Sequence, residues 1–169
     1  MATAFELISD TTLTSAAASI SASVSTDYRR FRLTLYVLKD ATAGEALIRF
    51  NADSGANYTW QLAYASATTA ASSRVTGSAY IPATGGQFNI AASSPALCTV
   101  EVEKPLASTP ARTVGSTSLF ADLTTDAVAL TEVSGEWSNT ADLISSVAIV
   151  ASAGNFAAGT RLLVEGAQP

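Results

Sequence analysis

Apolar and polar residues alternate one for one along much of this chain, and no long stretch repeats its apolar residues with the period of a helix. Serines separate Ala18, Ile20, Ala22 and Val24, and the segment Phe31–Val37 alternates in the same way. Alternation places apolar side chains on one face of a β-strand, whereas an amphipathic helix repeats about every 3.6 residues. The pattern predicts an all-β protein, in which only the stretch around residues 16–18 also fits a helix.

The same pattern predicts many further short strands, which fall at residues 4–8, 47–50, 57–64, 74–81, 87–91, 98–103, 115–121, 127–133, 143–151 and 160–165. Clusters of Gly, Pro, Asn, Asp and Ser separate them and supply the backbone angles of turns, while the low-complexity stretch 65–73 predicts an exposed loop. Many short strands at near-regular spacing are typical of a sandwich or a barrel. We therefore predict one domain over residues 1–169, a jelly-roll-like antiparallel β-sandwich, with residues 1–10 as an N-terminal strand or arm that contacts neighbouring subunits.

Residues that share the apolar face of a predicted strand define the expected core. This set comprises Phe31, Leu33, Leu35, Ile48, Phe50, Val100, Val102, Val147 and Ile149. The only cysteine, Cys98, lies on the same strand face as Val100 and Val102. We expect it to be buried as a small apolar residue, and a single cysteine excludes an intramolecular disulfide.

The composition limits the partners of the chain. Charged residues make up 14%, against roughly 25% in an average soluble domain, and such a surface loses few charges when it packs against a neighbour. The net charge of −5 argues against a nucleic-acid groove, and the cluster Arg29, Arg30 and Arg32 is expected to be a solvated or salt-bridged edge.

No segment reaches the roughly 20 apolar residues of a membrane helix, and no signal peptide is recognised. We expect synthesis in a cytoplasm and no membrane partner.

The residues of common catalytic sites are missing. The chain has no histidine and one cysteine, and its serines lie in no Gly-x-Ser-x-Gly motif. Carboxylate pairs for glycoside hydrolysis could be drawn from Asp53, Asp122, Asp126, Glu132, Glu136 and Asp142, but nothing in the sequence selects a pair. We therefore expect a protein that is not an enzyme and binds no cofactor.

One polar segment, Asn51–Tyr58, allows two interpretations. Oxygen-bearing side chains at Asn51, Asp53 and Asn57 surround Gly55, as in a calcium-binding loop. The flanking segments are strands, however, and no glutamate closes the site. The favoured interpretation is a turn in which Asn and Asp side chains cap the backbone and Gly55 adopts a positive φ, so no metal is expected.

Two groups of motifs occur together along the chain. The first runs from Tyr28–Leu33 to Ile48–Tyr58, and the second combines Trp137 with Leu143–Val147 and Gly154–Gly166. Together they resemble a widespread group of tailed-bacteriophage virion proteins. That group carries a Tyr-x-x-Leu/Phe motif, an Arg-Phe-Asn-Gly-Asp-x-Gly-x-Asn-Tyr motif and a closing Gly-Thr/Ser-x-x-x-Leu-Tyr-Gly motif. The resemblance covers roughly Ile20 to Gly166, and it implies a jelly-roll β-sandwich of a tail tip, a fibre or a head surface.

This chain departs from the family pattern at two places. Ala52 stands where the family has Gly, and Val164-Glu165-Gly166 replaces Leu-Tyr-Gly. The absence of Tyr at position 165 implies a different contact at the closing strand.

The leading functional hypothesis is a capsid decoration or cement protein, located on the capsid surface of a virion. Its expected partners are itself, as a homotrimer, and the phage major capsid protein or another virion protein. Phe5, Leu7 and Ile8 are the candidate contacts between subunits. We expect no nucleic-acid partner.

The alternative is a tail-tip or fibre domain that binds a glycan receptor of the host. The candidate residues for stacking on sugar rings are Tyr58, Trp60, Tyr64 and Trp137. A more ordinary role places Trp60 and Trp137 in the core. A cellular carbohydrate-binding module is a third possibility, and it would require a secretion signal or a fused enzyme.

Overall fold

The computed structural model of the protein describes residues 4–66, 69–84, 90, 95–103, 109–122 and 127–168. In this part of the chain there is no helix, and hence none that could cross a membrane. The strands are β1 (Glu6–Thr12), β2 (Ser19–Ser23), β3 (Arg30–Val37), β4 (Ala46–Phe50), β5 (Tyr58–Ser66), β6 (Thr69–Ser78), β7 (Ile81–Pro82), β8 (Ala96–Glu103), β9 (Ala111–Asp122), β10 (Ala127–Trp137), β11 (Ser146–Ala151) and β12 (Arg161–Ala167). The predicted all-β class is confirmed.

The strands form two antiparallel sheets that pack as a sandwich. The large sheet has the order β1-β12-β3-β8-β9-β10-β5-β6, and the small sheet has the order β2-β11-β4-β7. Every pairing in both sheets is antiparallel. The large sheet therefore has two edges, β1 and β6, and its outward face is not covered by the small sheet.

The core lies between the two sheets and contains all nine residues predicted from alternation. Each of them is at most 2% exposed. Cys98 is also fully buried, as predicted, with its Sγ 2.9 Å from the carbonyl oxygen of Ala83. Burial of one strand face is the physical reason for the alternation, because a slip of one residue would turn the apolar set towards solvent.

The structure corrects the prediction for residues 65–73. Its described residues form no loop, because residues 65–66 end β5 and residues 69–73 begin β6, which is paired antiparallel with β5. Alanine and serine are weak strand formers, so local propensity did not indicate the pairing. The predicted strand 87–91 lies outside the described residues except for Ile90, which forms an isolated bridge with Gly44.

The basic cluster also differs in part from its prediction. Arg30 and Arg32 lie on β3, the third strand of the large sheet, so they are not at an edge. Both side chains point outward and form salt bridges with Glu101, at 3.1 Å and 3.0 Å. The salt-bridged character is confirmed, and the edge position is wrong because β12 and β1 extend the sheet beyond β3.

Candidate functional site

The turn after β4 is built around two residues with left-handed backbone angles. Asn51 has a φ of 52° and Ala52 a φ of 55°. The predicted positive φ at Gly55 is therefore wrong. Gly55 is required for space instead, because a Cβ atom there would lie 3.0 Å from Asn57 Nδ2 and 3.1 Å from Asp53 Oδ1.

The Asp53 carboxylate is the centre of this turn. Its Oδ1 accepts a hydrogen bond from the Gly55 amide at 2.8 Å, and its Oδ2 accepts from Asn57 Nδ2 at 2.9 Å. The indole Nε1 of Trp137 also donates to Oδ2, at 2.7 Å. Partial burial acts to raise the pKa of Asp53, but the three hydrogen bonds and the nearby Arg49 guanidinium outweigh it, so the pKa lies below its ordinary value.

Asn51 joins the same turn to the segment before β11. Its Oδ1 accepts hydrogen bonds from the amides of Ser145 and Ser146, at 2.8 Å and 3.2 Å. Its Nδ2 donates to the carbonyl oxygen of Leu143 at 2.8 Å. These bonds explain why β11 begins at Ser146 and not at the predicted residue 143.

The side-chain oxygens of Asn51 and Asp53, two of the three residues proposed as calcium ligands, are thus engaged with protein donors. Both oxygens of Asp53 and Oδ1 of Asn51 accept protein hydrogen bonds, and the amide of Asn57 donates to Asp53. Across the described ranges, no group of three or more His, Cys, Asp or Glu residues could hold a metal ion. The donor set fits a capped turn better than an ion, which needs oxygens free to coordinate.

Three of the four aromatic residues considered for glycan stacking lie in the core. Tyr58, Trp60 and Trp137 are 0%, 6% and 1% exposed, so they offer no ring face to a sugar. The more ordinary role in the core is confirmed for Trp60 and Trp137, and the stacking role is wrong for these three residues. Alternation places Tyr58 and Trp60 on the inward face of β5, and it places Trp137, the last residue of β10, on the inward face of that strand. Tyr64 is half-buried and packs against the core.

The hydroxyl of Tyr58 lies in the core and hydrogen-bonds to the backbone of the turn. It accepts a hydrogen bond from the Phe50 amide at 3.0 Å, and it lies 3.2 Å from the carbonyl oxygen of Asp53. Burial is the main cause that raises the pKa of Tyr58 to about 12. The rings of Phe50, Tyr58 and Trp137 pack together, so these motif residues have a structural role.

The predicted contact residues of the N-terminal strand divide into two kinds. The ring of Phe5 lies 4.3 Å from the Arg32 guanidinium of the same chain, and Ile8 packs beside Gly166. Leu7 is 61% exposed, whereas Phe5 and Ile8 are half-buried by their own chain. β1 pairs with β12 as an edge strand of its own sandwich, and a contact of these three residues with a neighbouring subunit stays a prediction.

Several charges on the outward face of the large sheet are paired with one another. Arg161 binds Asp10 through two hydrogen bonds, of 2.7 Å and 2.6 Å, and Arg112 lies 3.7 Å from Glu136. The Arg30 and Arg32 pairs with Glu101 lie on the same face. This face is therefore close to neutral over much of its area, and packing against it leaves few charges without a counterion.

A transverse row of apolar residues crosses this face. Tyr36 is directly opposite Leu97, Leu97 is opposite residue 119, and residue 119 is opposite Leu130, which is opposite Ala65. Tyr36, Leu97 and Leu130 are 41%, 52% and 43% exposed. We call Tyr36, Leu97, Leu130 and Ala65 the apolar row. Sequence reasoning missed it because alternation assigns each residue to a face but does not give the register between strands.

A shallow polar groove lies further along the same face. It has a volume of about 390 Å³ and is lined mainly by Thr59, Gln61, Arg74, Ser134 and Glu136. Its floor is the backbone of β5 and β10. A second depression of about 280 Å³ adjoins Leu130 of the apolar row.

Comparison with known proteins adds little to this geometry. No protein-family model and no curated protein matches the chain. Among solved structures, the chain is similar to the CBM2 module of the evolved Dit of Lactobacillus casei BL23 phage J-1. The identity is 7%, the alignment covers 98% of this chain and 80% of that chain, and the TM-score is 0.21. A TM-score this low supports no conclusion on fold or function.

Proposed function

We propose that this protein is a structural component of a bacteriophage virion and has no catalytic role. The observation that carries the proposal is the outward face of the large sheet, where paired charges surround the apolar row. A neutral face with exposed Tyr36, Leu97 and Leu130 suits permanent packing against another protein. The sequence resemblance to tailed-bacteriophage virion proteins is the reason for proposing a bacteriophage particle.

Within the virion, we assign the protein to the head as a decoration protein that assembles as a homotrimer. A trimer suits the points where three capsomers meet, because one set of contacts is then used three times. Its mechanism is mechanical, since buried interface area ties neighbouring capsomers together against the pressure of the packaged DNA. The apolar row is the surface assigned to the surrounding virion protein.

The proposal is tested on phage particles that lack the protein. Purified wild-type protein is added back, and the particles are sedimented and imaged by cryo-electron microscopy. We expect stoichiometric binding to the head and loss of binding for Leu97→Lys and Leu130→Lys. Ala41→Lys adds the same charge at an exposed residue outside the strands and should bind like wild type.

Two results would contradict the proposal. Equal binding of the Leu97→Lys, Leu130→Lys and wild-type proteins would exclude the apolar row as the contact. Density for the protein only at the tail tip would replace head decoration by receptor binding.

The polar groove favours the receptor-binding alternative to a limited extent. Gln61, Arg74 and Glu136 could donate and accept hydrogen bonds to the hydroxyl groups of a glycan. Binding of host-cell glycans to the purified protein, and its loss in Gln61→Ala, would support this function.

A further inference from the structure

The large sheet leaves two of its strands with a neighbour on one side only. β1 pairs with β12 and β6 pairs with β5, and no other described strand lies beside either of them. An open edge presents a row of free N–H and C=O groups that can pair with another chain, and proteins usually protect such edges with charges, proline or bulges. Residues 69–73 of β6, Thr-Ala-Ala-Ser-Ser, contain no charge and no proline.

The backbone groups that face the open edges can be identified from the pairing. Leu13 exchanges hydrogen bonds with the backbone of residues 159 and 160, so its amide points towards the β12 side. By alternation, the amides of Thr12 and Asp10 point to the open edge of β1. β6 lies at the other edge of the sheet and is antiparallel to β1. A rotation of 180° about an axis perpendicular to the sheet therefore places one edge strand on the other. Residues of β6 on the outward face, such as Ser72, therefore also direct their amides to the open edge.

The direction and the charge of the two edges are complementary. The sheet has eight strands that alternate in direction, so the β1 strand of a second copy, placed beside β6 in a head-to-tail arrangement, is antiparallel to it. β1 carries the carboxylates Glu6 and Asp10, of which Asp10 is already paired with Arg161, and no cation, whereas β6 carries Arg74 and no anion. Pairing of β1 with a second β1 would bring like charges together, which is destabilising.

We propose that copies of this chain assemble into a closed ring in which β6 of one copy pairs with β1 of the next. The occupant of each open edge is thus a second copy of the chain. Head-to-tail contacts close into a ring when the rotation between copies permits it. The inference rests on the proposed assembly of several copies, but it does not depend on the place of that assembly in a virion.

The composition of the small sheet fits the interior of such a ring. Its four strands contain a single charged residue, Arg49, whose Nε donates to the carbonyl oxygen of Ala79. The solvent side of β2 carries the exposed Ser19, Ser21 and Ser23. When the large sheets face outwards, the small sheets face the ring axis, and three copies can approach there without burying unpaired charges.

The test uses two proline variants that each remove one amide from an open edge. Ser72→Pro blocks β6, and Thr12→Pro blocks β1, while Ser72→Val and Thr12→Val keep the amides as matched controls. By sedimentation, wild type and both valine variants should form one closed species at a multiple of 17.3 kDa. Each proline variant alone should sediment as a monomer, and their equimolar mixture should form a heterodimer, because one intact edge of each kind remains.

Three results would overturn the proposal. They are a monomeric wild type, proline variants that keep the wild-type size, and a Thr12→Pro variant that forms dimers alone, which would indicate pairing of β6 with β6.

Hydrogen exchange on wild type provides a test that needs no substitution. The amides of Ala70, Ser72 and Thr12 should be at least about tenfold protected in the assembly, and fast exchange would equally overturn the proposal. Failure of particle binding with an intact ring would contradict the proposed function only.

Discussion

Trp137 donates its indole N–H to Oδ2 of Asp53 across a distance of 2.7 Å. Trp137 is the last residue of β10 in the large sheet, and Asp53 lies in the turn that follows β4 of the small sheet. The bond therefore connects the two layers of the sandwich at one end. Because the acceptor is a carboxylate and the donor is buried, the bond is stronger than one between two neutral groups.

Replacement of Asp53 by Asn should lower the free energy of unfolding at neutral pH by about 1 to 2 kcal/mol, because hydrogen bonds to a charged acceptor are lost. The pKa of Asp53 in the folded protein lies below its ordinary value of 3.8. Its stabilising contribution is therefore present above that value and is lost as the pH falls through the lower folded pKa. Chemical denaturation as a function of pH should show the two proteins converging under acidic conditions. Asp142→Asn, which changes an exposed carboxylate bound only to its own loop, is the control.

The turn at Asn51–Asn57 should keep its structure without calcium. The oxygens of Asn51 and Asp53 already accept protein hydrogen bonds, so an ion would have to displace them. Calorimetric titration with calcium should give no saturable heat and no rise in melting temperature. A tight, stoichiometric signal that disappears in Asp53→Ala would refute this prediction.

Truncation of buried core side chains should lower the free energy of unfolding. Leu33→Ala and Phe50→Ala should each lower the free energy of unfolding by about 2 to 5 kcal/mol, the range for large-to-small changes at buried sites. The two side chains are 1% and 0% exposed. Leu97→Ala removes the same group as Leu33→Ala from a side chain that is 52% exposed, and it should change the stability of the isolated subunit by less than about 0.5 kcal/mol. Equal effects at Leu33 and Leu97 would show that the two faces of the sheet are assigned wrongly.

Replacement of Ala52 by Gly should stabilise the protein by about 0.5 to 1 kcal/mol. Ala52 has a φ of 55°, a conformation that costs an L-residue about 1 kcal/mol or more and glycine almost nothing. Asn51, with a φ of 52°, is tolerated because asparagine adopts this region more readily. Thermal denaturation should show a higher midpoint for Ala52→Gly. Ala56→Gly, in the same turn but without a positive φ, should lower it.

The sequence predicted the core better than the site. Alternation identified Leu33, Phe50 and their companions because burial acts on each strand by itself. It could not predict the apolar row, since Tyr36 and Leu97 become neighbours only through the register of β3 and β8. The hairpin of β5 and β6 was missed because its residues are small and its stability comes from pairing and not from local propensity.

The turn shows a related limit of sequence reasoning. Gly55 was the natural candidate for a positive φ, because glycine is the usual residue there. The left-handed angles fall instead on Asn51 and Ala52, where the chain must turn to bring Asp53 under Trp137. The virion-protein pattern that the sequence resembles has Gly at the position of Ala52, and glycine adopts this angle readily.

The position of β12 between β1 and β3 determines when the large sheet can be completed. Within this chain β1 is made well before its backbone partner, Arg161–Ala167, which follows it by more than a hundred residues. β1 and β3 cannot form their part of the large sheet until β12 arrives between them. Folding of this region therefore waits for residues 161–167, and long-range pairing of this kind is slow. A truncated translation product that lacks β12 has no ordered β1 edge, so the proposed ring would not incorporate incomplete chains.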